Sequence, residues 1–99
     1  MNPHRRPLTL DDLRALRAGR ATLAEIRGLS DEALAAGVRL GEKLAARGEL
    51  DAAAELLAGM ALYDPYRPDV WQALAGLCRS GRDPGQAALY DSLARAMAA

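Results

Sequence analysis

The chain has 99 residues, 51% of them apolar, with 13 basic and 13 acidic side chains, so its length suits one small domain. Val, Ile and Thr together occur five times and Phe is absent, which leaves few of the residues that β-strands favour. A net charge of zero argues against nucleic acid as a partner, because binding to phosphates needs an excess of Lys and Arg. We therefore expect an all-α protein.

Charged residues interrupt every apolar run, so no segment approaches the roughly 20 apolar residues that a membrane-spanning helix needs. The first residues contain two prolines, two arginines and no apolar signal region. They predict a flexible arm, 1–7, ahead of a single helical domain, 8–99. We expect a cytoplasmic protein that does not insert into membranes.

Few side chains are available for chemistry. Cys78 is the only cysteine and His4 the only histidine, so the sequence predicts no internal disulfide, no metal site and no cofactor. No nucleophile has a base at a suitable spacing, and no glycine-rich phosphate loop is present, so an enzyme is not expected. Cys78 itself fits a buried, unreactive thiol better than a reactive one.

Two short helices open the domain. Thr9 is a candidate N-cap for the first, which Gly19 ends, and the second runs over Ala21–Arg27 and ends at Gly28. Both are too short to be stable alone in water, so we expect both to pack on the rest of the chain. The first helix would do so through one apolar stripe: Leu10, Leu13 and Leu16.

Four longer helices follow. Ser30 caps one that reaches Arg47, and the next covers Glu49–Tyr63. A fifth starts at Pro68 and stops at Gly81, and a sixth starts at Asp83-Pro84. Trp71, in the fifth, is expected to belong to the core.

Gly37 and Gly41 lie four residues apart on one face of the third helix. Each glycine lowers the intrinsic stability of a helix by about 1 kcal/mol relative to alanine. We expect close packing of a neighbouring helix at these positions to offset that cost.

The segment 34–67 recurs as 68–99 at an offset of 34 residues, which is the tetratricopeptide period. Leu40 corresponds to Leu74 and Ala53 to Ala87. In the second unit the turn glycine comes one residue early and Asp91 replaces an expected apolar residue, so Tyr90 is predicted to take the core position. The sequence predicts a short tetratricopeptide-type α-solenoid of two helix-turn-helix repeats.

Three stretches of the sequence resemble a known family: RATLAEIRGLSDE at 20–32, GELDAA at 48–53 and LYDPY at 62–66. They are similar to the class II chaperones of bacterial type III secretion, and the likeness covers about two thirds of the chain, including the helices before the first repeat. Those chaperones keep pore-forming translocators soluble in the bacterial cytoplasm. The resemblance implies a groove for a segment of a secreted substrate. Family members usually have a third repeat, so this groove is expected to be shorter.

Helix positions facing away from the partner helix predict the inner face of the repeats. They are Val38, Glu42, Ala45, Gln72 and Arg79. The resemblance adds Leu50 and Tyr63 at the border of the same face. The alternative for these residues is an ordinary solvated face. The alternatives for the function are a tetratricopeptide adaptor for a folded partner and a co-chaperone of a needle or export component.

The last helix carries Leu89, Leu93 and Met97 on one side, with no third repeat to cover them. Exposed apolar surface at the end of a solenoid usually needs a cap. We therefore expect a partner, or a second copy in a homodimer, to cover this helix.

Overall fold

Side-chain caps determine where the first three helices begin. Thr9 and Thr22 each form a capping box, in which the hydroxyl accepts a backbone N–H and an acidic residue three positions later accepts the threonine N–H. Ser30 Oγ accepts a 3.1 Å hydrogen bond from the Ala33 amide. These caps precede α1 (Leu10–Arg17), α2 (Leu23–Arg27) and α3 (Asp31–Ala46). The second helix starts two residues later than predicted, because Thr22 is its cap.

Three further helices complete the fold: α4 (Leu50–Tyr63), α5 (Pro68–Leu77) and α6 (Pro84–Ala98). Proline stands in the first turn of α5 and α6. Its missing N–H costs nothing there, because the first N–H groups of a helix have no intrahelical partner. The computed structural model describes residues 7–99, without the side chains of Arg82 and Pro84. Within that range there is no strand, and the predicted all-α helical-repeat fold is confirmed. Residues 1–6 of the predicted arm, which include His4, lie outside the described residues.

Helices α3 and α4 pack closely as an antiparallel pair. A Cβ atom on Gly37 would lie 2.6 Å from Met60 Sδ, and one on Gly41 would lie 2.7 Å from Leu57 Cδ2. The earlier residue of α3, Gly37, faces the later residue of α4, Met60, and Gly41 faces the earlier Leu57. The two helices therefore run in opposite directions. The prediction that both glycines permit close helix packing is confirmed.

The core lies where α5 packs against both helices of the first pair. Its buried residues are Val38, Ala53, Leu57, Val70, Leu74 and Leu77. Leu57 and Val70 have no solvent exposure, and the burial of each contributes about 1.5–3 kcal/mol. Helix α6 packs along α5 and forms the second helical pair.

The turn between α5 and α6 covers Cys78–Arg82, and the chain kinks there at Gly81, whose φ of 119° is not helical. Gly81 is 33 positions after Gly48, the corresponding glycine between α3 and α4, yet α6 begins 34 positions after α4. One residue separates Gly48 from α4, whereas two separate Gly81 from α6, and this extra residue restores the 34-residue offset. Tyr90 packs against the core, as predicted.

The linker between the two pairs is held by side chains. Trp71 Nε1 donates a 2.7 Å hydrogen bond to the Pro65 carbonyl, and the Trp71 ring stacks on Tyr90 with centroids 6.0 Å apart. Arg67 donates two hydrogen bonds, of 2.8 and 3.1 Å, to the Asp69 carboxylate and lies 3.4 Å from Asp31 Oδ1 at the start of α3. Trp71 is half-buried against the core.

The predicted apolar stripe of α1 is largely exposed, although Leu16 is half-buried. Leu10 is 62% exposed and Leu13 50% exposed, and α1 has no buried residue. The buried contact of the N-terminal segment comes instead from Ala24 in α2, the helix that packs on α4.

The predicted apolar side of α6 is only partly exposed. Leu89 is exposed, whereas Leu93 and Met97 are half-buried. Coverage of α6 by a partner or a second copy stays a prediction.

Candidate binding groove

An open groove of about 420 Å³ runs between the two helical pairs. Residues from α3 form one wall and residues from α5 and the turn after it form the other. The residues that line it are Glu42, Ala45, Ala46, Leu57, Gln72, Ala73, Gly76, Leu77, Arg79 and Ser80. The repeat packing creates this groove, because it places the exposed face of α5 beside that of α3.

The two walls carry opposite charges. Glu42, on α3, is exposed and forms no ion pair with any residue in the described part of the chain. Arg79, on the α5 side, donates a 2.8 Å hydrogen bond from Nη1 to Asp91 Oδ2 on α6. This exposed pair adds little stability, but it places the guanidinium at the groove.

Small residues and two buried leucines, Leu57 and Leu77, also line the groove. Ala45, Ala46, Ala73 and Gly76 leave the helix backbones close to the surface. Ser80 Oγ donates a 3.0 Å hydrogen bond to the Gly76 carbonyl and is therefore engaged within its own helix. Gln72 is the exposed polar side chain on the α5 wall.

The structure brings together four of the seven predicted binding residues. Glu42, Ala45, Gln72 and Arg79 all line the groove. Val38 does not, because it is 3% exposed and belongs to the core. The prediction that Val38 lies on the inner face is wrong: the face of α3 that carries it is covered by α4 and α5.

Leu50 and Tyr63 do not line the groove. Leu50 is half-buried at the start of α4 and packs against the core. Tyr63 is half-buried at the end of the same helix, beside the linker. Both positions came from the family resemblance, and their helix stands behind the groove.

Sequence reasoning missed several lining residues, of which Gly76 is the most informative. Gly76 follows Gln72 by one helical turn and precedes Arg79 by three residues, so helical spacing from these two positions was enough to place it on the same face. Ala46 and Ala73 could be found in the same way.

A second cavity, of about 330 Å³, lies between the later helices and is lined partly by Cys78, Asp83 and Tyr90. Cys78 is 8% exposed, and the prediction that it is buried is confirmed. Burial, assisted by the negative charge of Asp83, raises the pKa of the Cys78 thiol. A raised pKa suppresses the reactive thiolate form.

In the part of the chain that the structure describes, no helix has both the length and the apolar character needed to cross a membrane. The same residues contain no group of three or more His, Cys, Asp or Glu placed to hold a metal ion. Comparison with known proteins found no matching family model, curated protein or solved structure.

Proposed function

We propose that this protein is a cytoplasmic secretion chaperone that binds a segment of a secreted substrate in the groove between α3 and α5. The observation that carries the proposal is the convergence of Glu42, Ala45, Gln72 and Arg79, from two repeats, on one open groove. An open groove with a charged residue on each wall suits a protein segment better than a small molecule, because small molecules usually bind in enclosed, mostly apolar pockets.

The class of client is proposed from the sequence resemblance to type III secretion chaperones and from the tetratricopeptide spacing of 34 residues. Covering an apolar segment of the client would prevent its premature assembly and keep it competent for export. A tetratricopeptide adaptor for a folded partner, or a co-chaperone of a needle or export component, would use the same groove.

The test is co-expression of the chain with the neighbouring genes of its locus, followed by affinity purification and mass spectrometry. We expect a small secreted protein in stable complex. Recovery of a folded cytoplasmic regulator would move the function to the adaptor class, and recovery of the chain alone would overturn the proposal.

A matched pair of variants assigns any captured client to the groove. Glu42→Arg reverses the charge of the α3 wall, and Glu55→Arg makes the same change on the exposed face of α4, away from the groove. We expect Glu42→Arg to reduce the bound client about tenfold and Glu55→Arg to leave it unchanged. Equal capture by both variants would place the client elsewhere on the molecule.

A further inference from the structure

Gly76 is a helical glycine with no packing neighbour. A Cβ atom on Gly76 meets nothing within 4 Å, whereas one on Gly37 or Gly41 would collide with side chains of α4. Glycine is a poor helix former, and the close approach of α3 to α4 offsets that cost at the two earlier positions. No internal contact does so at Gly76 or at Gly59 in α4, and of these two glycines only Gly76 lines the groove.

We propose that the groove binds its client as an α-helix, which packs a face of small side chains on Gly76 and carries one acidic and one basic residue at the edges of that face. This inference rests on the proposed function, because it defines the conformation and chemistry of the client segment. Gly76 then has the role between protein and client that Gly41 has between α3 and α4.

The helical conformation follows from the hydrogen bonds that the groove can offer. Both walls are helices whose backbone groups pair internally, and Ser80 is engaged with the Gly76 carbonyl. Gln72 is an uncharged polar side chain that faces the groove, and it can pair only a few backbone groups of a bound segment. An extended segment would leave most of its own buried backbone groups without partners. A helix pairs its backbone groups internally and presents only side chains, which is a recurring mode of peptide recognition.

The charges on the walls define the edges of the bound helix. Glu42 is unpaired among the described residues and attracts a basic side chain to the α3 wall. Arg79 uses Nη1 toward Asp91 and keeps its other N–H donors for a carboxylate of the client. If the client helix ran in the opposite direction with the same face on the groove, its acidic and basic edges would change places. Each edge would then meet a like charge, so the two charged walls also select the direction of the client helix.

The probe that tests this is an alanine-rich helical peptide of about 18 residues with Glu and Lys on the two edges of its alanine face. Binding is followed by fluorescence anisotropy of the labelled peptide. We expect a Kd below about 1 mM and weaker binding of two control peptides, one with Lys at both edges and one with a central proline. Absence of binding by the Glu/Lys peptide, or equal binding of the proline peptide, would overturn the proposal.

Gly76→Ala is the decisive variant, with Gly59→Ala as its control. Both glycines stand in helices with open space around a built Cβ, so alanine should raise the melting temperature of both variants. Only Gly76 lines the groove, and a methyl group there should weaken binding of the Glu/Lys peptide about tenfold. Unchanged affinity of a folded Gly76→Ala protein would overturn the proposal.

Wild type and Gly76→Ala, compared in the co-expression test, separate this inference from the proposed function. If wild type and Gly76→Ala capture a secreted client equally well from co-expressed cells, the helical mode is wrong and the chaperone function stands. If wild type captures no client, the proposed function fails, whatever the peptide binds.

Discussion

Gly41 lies so close to Leu57 that a Cβ atom on the glycine would come within 2.7 Å of Leu57 Cδ2 and 2.8 Å of Cγ. Leu57 has no solvent exposure and belongs to the core cluster. Gly41→Ala should therefore destabilise the protein by about 1–3 kcal/mol, although alanine favours helix. Urea denaturation measures the change.

Gly37→Ala is the control for that variant. Its new methyl group would meet Met60 Sδ, which belongs to a flexible side chain that can move aside. We expect a smaller loss of stability than at Gly41. A Gly41→Ala protein as stable as wild type would show that the two helices can separate without cost.

The Arg67 clamp should contribute more to stability than the exposed ion pairs. Its side chain is only 18% exposed and holds Asp69 through two nitrogens, and the hydrogen bond to Asp69 raises the pKa of Arg67. Arg67→Lys cannot reproduce the two-nitrogen contact and should cost about 1–2 kcal/mol in denaturation experiments. Arg47→Lys, which changes the exposed Arg47–Glu49 pair, should cost less than about 0.5 kcal/mol. Equal losses of stability in the two variants would show that the Arg67–Asp69 pair contributes no more than the exposed Arg47–Glu49 pair.

Trp71→Phe should destabilise the linker between the helical pairs. The substitution removes the hydrogen bond from Nε1 to the Pro65 carbonyl while it keeps an aromatic ring against Tyr90. We expect a loss of about 1–2 kcal/mol in thermal or urea unfolding. Tyr90→Phe keeps the stacked ring and should have little effect, and a larger loss for Tyr90→Phe than for Trp71→Phe would contradict this account.

Substitution by aspartate should unfold the protein at Val38 and leave it folded at Gln72, although both residues were predicted to bind a partner. Val38→Asp buries a carboxylate among apolar side chains and should abolish cooperative folding. Gln72→Asp, on the exposed groove wall, should leave the helical circular dichroism spectrum and the unfolding midpoint close to those of wild type. A folded Val38→Asp protein would show that Val38 is accessible after all.

The raised pKa of Cys78 predicts how stability depends on alkaline pH. A thiol ionises at an ordinary pKa of 9.0, and burial raises that value in the folded chain, so folding favours the protonated form. The resulting stabilisation is complete below pH 9.0 and is lost as the pH rises through the higher folded-state pKa. Urea midpoints across this range should fall more for wild type than for Cys78→Ala, and parallel curves would refute the assignment.

Local signals in the sequence predicted most of the helix boundaries. Thr9 and Ser30 as caps, Gly48 as a stop and Pro68 as a start are each read from one or two residues and a known backbone preference. The 34-residue offset and the close approach at Gly41 were also accessible, because both depend on spacing within the chain.

The errors arose where the outcome depended on contacts between distant elements. Val38 and Glu42 lie one helical turn apart, and only the position of α5 decides that one is core and the other lines the groove. Leu10 and Leu13 have the spacing of a packed stripe, but both are exposed. Helical periodicity predicts which residues share a face, and it does not specify what lies against that face.

Helices that are close in sequence supply most of the packing, as α3 does with α4 and α5 with α6. Chains with such local topology fold within about microseconds to milliseconds, far faster than a ribosome adds about 5–20 residues each second. The α3–α4 hairpin can therefore form as soon as both helices have left the ribosome. The groove needs α5 beside α3, so it forms only after α5 and the turn that follows it have joined this hairpin.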